Sequence, residues 1–457
     1  MVNETRRDLL KGIAVATLAA ALPARNAFSQ KQAGPDISSE DRVFITNEDS
    51  NTISVINPAT NTIDTTINLT SFDEDPRPPF QLVTGGVTPT HAAMILKPLY
   101  HGCIAAHGAV PSPDGRLLAT TGRGSSNVYL IDAAGKKVIG NIPNPQLAAN
   151  TNKERISSGI LVGREPHEPT FSRNGKELWV TVRGENRIAI LDVEKAIQQA
   201  GGADIVSLRQ SLLTVEGPAQ VWFSQKDQLA FVISQKVSKM EVFQLDPDKQ
   251  GFSRPRKIAT VDISAQDKPG FTPFEKTSPD GKEVWLSHKL ADQVSALSTK
   301  APFNTTSVIP LGNGARPNHL EFVENNKGRV VYVSFARVDD GGPNGVASSQ
   351  IAIIDRHAPD AARRVVKTFF SHGREAHGIW TNPNNNLLYV AHEQDELPNT
   401  PNAGQTVCSA FDVSDPFEPK FIAQIPLGSL KLPSGELRNK KSINLVYVRP
   451  GYLGQTA

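Results

Sequence analysis

One phrase returns along the chain and limits what it can fold into: a turn of the Ser-Pro-Asp-Gly kind, an apolar alternating strand, a polar turn, then a second alternating strand often closed by Asp. It runs from Ser112 to Asp132 and again, in the same register, from Ser172 to Asp192. Further copies begin at Ser224, Ser278, Glu324 and Asn382. A unit of short strands cannot bury its apolar face alone, so successive units must stack. Two pieces remain. Arg42 to Asn57 lacks a preceding strand, and Ser442 to Val448 lacks a following one. Each supplies what the other is missing, so the ends close a ring and leave no open sheet edge. An open solenoid would instead end in dissimilar capping repeats. The expected fold is all-β, a seven-bladed β-propeller over residues 42–457 whose C-terminal strand completes the first blade. Val193 to Ala200 reads as one or two helical turns between strands.

The first residues follow another pattern. Arg6 and Arg7 precede Leu9-Leu10-Lys11 and an Ala-rich apolar run from Gly12 to Leu22, which is too short to span a bilayer. Residues 1–29 therefore read as a signal peptide similar to the twin-arginine type, with cleavage after Ser29 and a linker over 30–41. Export of this kind carries folded proteins, often with a cofactor loaded. A periplasmic protein is expected, with no membrane attachment after cleavage. The formal net charge of +2 excludes a global field that would attract nucleic acid. Cys103 and Cys408 are the two cysteines, and one disulfide is open to them in that compartment.

The units resemble the YVTN-type β-propeller repeat, whose consensus Phe44-Ile45-Thr46-Asn47 follows closely. The likeness covers most of the mature chain and implies the fold far more than the function. Related propellers include lactonases, the haem-carrying domain of haem nitrite reductases and its biosynthetic relatives, and the copper propeller of nitrous-oxide reductase.

In such propellers the inner strand of each blade starts at the face to which the next strand returns. Counting five residues back from each turn lands on His107, His167, His319 and His377. Imidazole is the commonest protein ligand for transition metals and haem iron, so the four are candidate metal ligands around one axis. His288 and His392 follow second strands and join them. His101 and Cys103, with His107, add a thiol to the set and suit copper or zinc. Arg164, Arg316 and Arg374 each stand three residues before one of these histidines, and Arg123 and Arg183 follow second strands. A guanidinium ring would hold haem propionates or an anionic substrate bidentately. In a strict strand residues three apart face opposite sides, so arginine and histidine converge only where the chain bends.

Two long connections, Ser71 to Ala106 with His91 and Pro143 to Gly163, belong to the same face, as do the polar excursions Val338 to Ser348 and Gln394 to Gly404. Long loops of this kind serve as lids or binding elements. No phosphate loop, Cys-x-x-Cys-His, zinc-protease helix or Gly-x-Ser-x-Gly is present, which sets covalent haem aside. Three functions remain open. The first is a metal- or haem-binding periplasmic propeller with copper or haem in a redox or cofactor-handling role. The second is a lactonase-like hydrolase or lyase using a channel-mouth histidine on a small-molecule substrate. The third is a binding module for another periplasmic protein.

Overall fold

The computed structural model describes residues 36–453 apart from 70–103, 141, 144–154, 157–158, 226–227, 269, 360–361, 429, 432–436 and 439. The expected signal peptide, His91, His101 and Cys103 lie outside the described residues.

Among the described residues seven antiparallel sheets of four or five strands follow one another along the chain, beside two short two-stranded pairs. In the first, Ser442–Val448 pairs with Arg42–Asn47, followed outward by Thr52–Asn57 and Thr62–Asn68. The last strand of the chain thus completes the first blade, as the two orphan segments predict. The other inner strands are Ala106–Pro111, Pro166–Phe171, Pro218–Phe223, Phe274–Thr277, Pro317–Glu324 and Arg374–Thr381. Each packs against the next, and Ser442–Val448 packs against Ala106–Pro111, so the circle is closed. An inner strand is the edge of its own sheet, which is why Pro166, Pro169, Pro218 and Pro317 are tolerated there. Six sheets have four strands. The second has five, because two short pieces, Lys137–Val138 and Ile160–Leu161, replace a single outer strand. Val193–Ala200 is an α-helix, with Asp192 accepting from the Lys195 backbone at its N-cap. Among the described residues no helix is long and apolar enough to cross a membrane.

Two repeated devices set the blade geometry. The Ser-x-x-Gly turn joins inner to second strand: Ser112 Oγ donates to Asp114 and accepts from the Leu117 amide, and Ser172 and Ser278 do the same for their own turns. Gly115, Gly175 and Gly281 sit there at φ near +70°, a region that disfavours any side chain. The second device is a hydroxyl on the second strand. Thr46 donates to the His107 carbonyl, Thr121 to that of His167, Thr181 to that of Ala219 and Ser334 to that of His377. Each hydroxyl reaches the inner strand of the next blade, so the Thr of the repeat signature fixes how neighbouring blades meet. The aromatic residue two positions earlier, Phe44, Trp179 or Tyr332, is fully buried within the same second strand.

The channel is filled part-way along by side chains of four inner strands. Lys276 Nζ lies 2.8 Å from both carboxylate oxygens of Glu321, 4.1 Å from the centre of a Trp380 ring and 5.3 Å from one of Trp222.

Candidate functional site

At the face where inner strands begin, six strands shift register, and in five of them two residues stand opposite one. Two residues, His107 and Gly108, stand opposite Thr121 alone. The same holds for His167 and Glu168, for Asn318 and His319, for His377 and Gly378, and for Ile443 and Asn444. A β-bulge re-aims the side chains it carries. Just before it, Ala105, Glu165, Glu375 and Lys441 have φ between 47° and 57°, and this is the bend that turns the strand toward the axis.

His107, His167 and His377 hold the first bulge position. His319 holds the second, the place of Gly108 and Glu168, because its amide bonds Ser334 Oγ as the Gly108 amide bonds Thr121 Oγ1. A count from the turn misplaces it by one, since its strand is longer. The four nevertheless form two pairs: the His107 and His167 rings are 4.5 Å apart and those of His319 and His377 4.8 Å apart, with His319 stacked on Phe274 at 4.0 Å.

A second ring comes from the residue after each second strand. It comprises Glu48, Arg123, Arg183, Gln235 and Lys289, whose amides bond the carbonyls of Lys441, Ala105, Glu165, Gly217 and Phe271, with Glu393 at the matching place of the last blade. Arg123 and Arg183 lie near enough to His107 and His167 to act on both rings electrostatically. Arg123 pairs with Glu48 at 2.9 Å, and Arg183 donates to Gln235 at 2.6 Å and lies 3.5 Å from Glu165. His288 and His392 do not join them. They sit one residue earlier, and adjacent strand residues point to opposite faces. Both are fully buried within their blades. His288 bonds Thr272 and Ser295, and His392 bonds the Val407 carbonyl and Ser371 Oγ, which occupies both nitrogens of each ring. The bend at Glu165 and Glu375 does not bring the upstream arginines onto the histidines, although Arg374 reaches the neighbouring polar pocket. Arg164 donates to the Gly184 carbonyl, Arg374 to that of Asp395, and Arg316 is exposed. Cys408 is buried in Val407–Asp412, where burial pushes its thiol well above the usual range.

The pair His107/His167 has a specific electronic arrangement. His167 Nδ1 is 2.7 Å from the Ala219 carbonyl, so it carries the ring hydrogen and leaves a lone pair on Nε2. His107 Nδ1 faces the Glu48 carboxylate at 3.4 Å, which favours a hydrogen there too. The two Nε2 atoms then face each other at 3.1 Å, with the Glu168 carboxylate 4.0 Å from that of His107 and the Gln235 amide 3.1 Å from that of His167. In that tautomer two ring acceptors meet, which a hydrogen on His107 Nε2 or a cation held off the Nε2–Nε2 line would each resolve, and the Gln235 amide already points at His167 Nε2. His107, His167 and Glu168 all offer a donor atom within 4.8 Å of one another.

Electrostatics keep the two rings neutral. Burial, reinforced by Arg123, lowers His107 to about 3 against the pull of Glu48. Burial and His107 hold His167 well below its ordinary value, so both rings are neutral ligands at neutral pH. Burial raises Glu168 well above the usual carboxylate range, whereas Arg123 and Lys441 overcome burial at Glu48 and hold it well below.

Beside this site a polar pocket of about 340 Å³ is lined by Asp49, Arg374, Glu393, Gln394, Asp395 and Lys441. Glu393 is 3.4 Å from His377 Nε2, and burial together with Glu375 raises it to about 7. Glu48, Glu168, Gln235 and Glu393 escape a sequence search for metal ligands. The signal that could have found them is their offset, six residues after each second strand begins or one after the histidine.

The family described as Lactonase, 7-bladed beta-propeller matches residues 161–337, which include His167, Glu168, Arg183 and His319. No curated protein matches the sequence. Similar solved structures include Kuenenia stuttgartiensis hydrazine synthase, with 15% identity, TM-score 0.51 and coverage of 76% of this chain and 96% of that one. A putative 6-phosphogluconolactonase from Bacteroides uniformis has 13% identity and TM-score 0.55 over 90% of this chain and 100% of its own. A dihydro-heme d1 dehydrogenase in complex with DHE has 11% identity and TM-score 0.50 over 95% of this chain and 80% of its own. At these identities the likeness is one of fold. With its seven closed sheets, the chain is a seven-bladed β-propeller.

Proposed function

We propose that this propeller binds a divalent transition-metal ion through His107 Nε2, His167 Nε2 and Glu168, and uses it in the periplasm for redox or hydrolytic chemistry on a small molecule. The observation that carries the reading is the convergence of His107 Nε2, His167 Nε2 and Glu168, whose donor atoms lie within 4.8 Å of one another with the two nitrogens 3.1 Å apart. The Ala219 carbonyl and Glu48 act behind the two rings as the outer-shell acceptors that orient metal-bound histidines. Two imidazoles and a carboxylate suit zinc, copper(II) or iron(II), and three protein ligands leave a position for water or substrate. Haem fits this pair poorly: the two Nε2 atoms are 3.1 Å apart, too close for an iron held between them, and both residues are buried. Twin-arginine export would deliver the folded, loaded protein.

The test is metal analysis of protein exported through its own signal, alongside apoprotein titrated with zinc(II) and copper(II). One equivalent is expected in the wild type and none in the His107→Ala/His167→Ala double variant. Equal metal content in the two proteins would sink the reading.

A lactonase-like hydrolase is the second reading, favoured by the family match over residues 161–337 and by the His377–Glu393 contact at the polar pocket. There His377 would act as general base with Glu393 orienting it. It predicts that His377→Gln abolishes lactone hydrolysis while metal content stays unchanged, and hydrolysis persisting in that variant would remove it.

A further inference from the structure

The polar excursions of blades six and seven meet in a second pocket of about 340 Å³, which the metal site does not use. Its wall is largely apolar, with Pro343, Val346, Pro401 and Phe421 among the lining residues, and His372 stacks flat on Phe421 with ring centres 3.6 Å apart. The frame is fixed by hydrogen bonds. Asn402 donates to Gln424, and Gln424 donates to the His372 carbonyl at 2.7 Å. The Glu396 amide bonds the Gln405 carbonyl, and the Gly404 amide bonds the Glu396 carbonyl, so the excursion is held against itself. Among the polar side chains lining this pocket, Glu396 is 3% exposed and its Oε1 has no hydrogen-bond partner. A buried carboxyl oxygen without a donor is costly unless something supplies one.

We infer that this pocket is a binding site for a small organic ammonium ion with an apolar or aromatic body, its cation held by Glu396 and its body by the Phe421 wall. The ligand brings a donor for Oε1 and adds positive charge to that of Arg374, which already acts on the carboxyl. Burial raises Glu396 to about 7, assisted by Asp395 and opposed by Arg374, and His372 is itself held low by burial. Glu396 must ionise to take up the ammonium, so binding releases a proton below neutrality. Affinity then rises about tenfold between pH of about 6 and about 8, as the carboxyl deprotonates.

The experiment is calorimetric titration of the full mature protein with tryptamine and phenethylamine, beside indole-3-propionate and 2-phenylethanol, in two buffers of different ionisation enthalpy. The expected result is saturable one-to-one binding of an amine, with proton release and the stated pH trend, and none of the acid. Glu396→Gln should weaken amine binding at least tenfold with little change in melting temperature. Ala347→Trp, which fills the pocket and leaves the carboxyl intact, should abolish it. Equal binding of the alcohol or the acid, retention of amine binding in Glu396→Gln, or no amine binding at millimolar concentration would each overturn the proposal.

Discussion

Thr120 and Thr121 are adjacent, both buried, and differ in what their hydroxyls do. Thr121 Oγ1 accepts from the Gly108 amide at 3.0 Å and donates to the His167 carbonyl at 2.7 Å, tying blade two to blade three beside the proposed metal ligands. Thr120 Oγ1 is buried without a partner. Replacing either by Val conserves volume and removes only the hydroxyl. Thr121→Val leaves a buried amide and a buried carbonyl unpaired, and at about 1–3 kcal/mol for each, partly relieved by relaxation, the loss should be about 2–4 kcal/mol. Spread over the unfolding entropy of roughly 400 residues, that lowers the melting temperature by about 2–5 °C. Thr120→Val removes an unsatisfied polar atom and should leave stability unchanged or raise it by about 1 kcal/mol. Equilibrium urea unfolding of both variants, with scanning calorimetry, reads the difference. If the two variants melt alike, or Thr120→Val is the weaker protein, then the hydroxyl staple between blades is not what the repeat threonine is for.

The channel ion pair gives another test. Lys276 and Glu321 side chains are 3% and 5% exposed, so Lys276→Met strands a carboxylate and should cost about 3–5 kcal/mol, while Lys276→Met/Glu321→Leu recovers most of it; a double variant less stable than the single in urea would contradict this. His392 bears on pH. Burial lowers it to about 4 from an unfolded value of about 6.5, so its contribution to stability is complete above that value and fades as pH falls toward 4. Titrating unfolding free energy against pH should therefore show a shallower acid slope in His392→Gln, and an identical slope would refute the assignment.

The residues that were readable in the sequence are those whose role repeats. The Ser-x-x-Gly turns, the second-strand threonines and the start of each inner strand recur at fixed spacing, so His107, His167 and His377 could be found by counting. Counting failed wherever a strand changed length by one residue, as at His319, or where parity mattered, as at His288 and His392. Those two stand next to Lys289 and Glu393, yet face the blade interior because alternate residues of a strand point to opposite sides. The placement of the upstream arginines is illegible for a related reason: spacing can suggest the left-handed bends at Glu165 and Glu375, but not the loop carbonyls that hold Arg164 and Arg374.

The sequence alone determined the ring, because seven stacking units with complementary ends have one way to bury their faces and pair every edge. Tertiary structure decided which donors share a site. Glu48 reaches His107 across 59 positions, Gln235 reaches His167 across 68, and Asn444 meets Glu168 across 276. No spacing rule encodes such contacts, since they depend on bulges that turn side chains from the sheet plane toward the axis, where neighbouring blades converge.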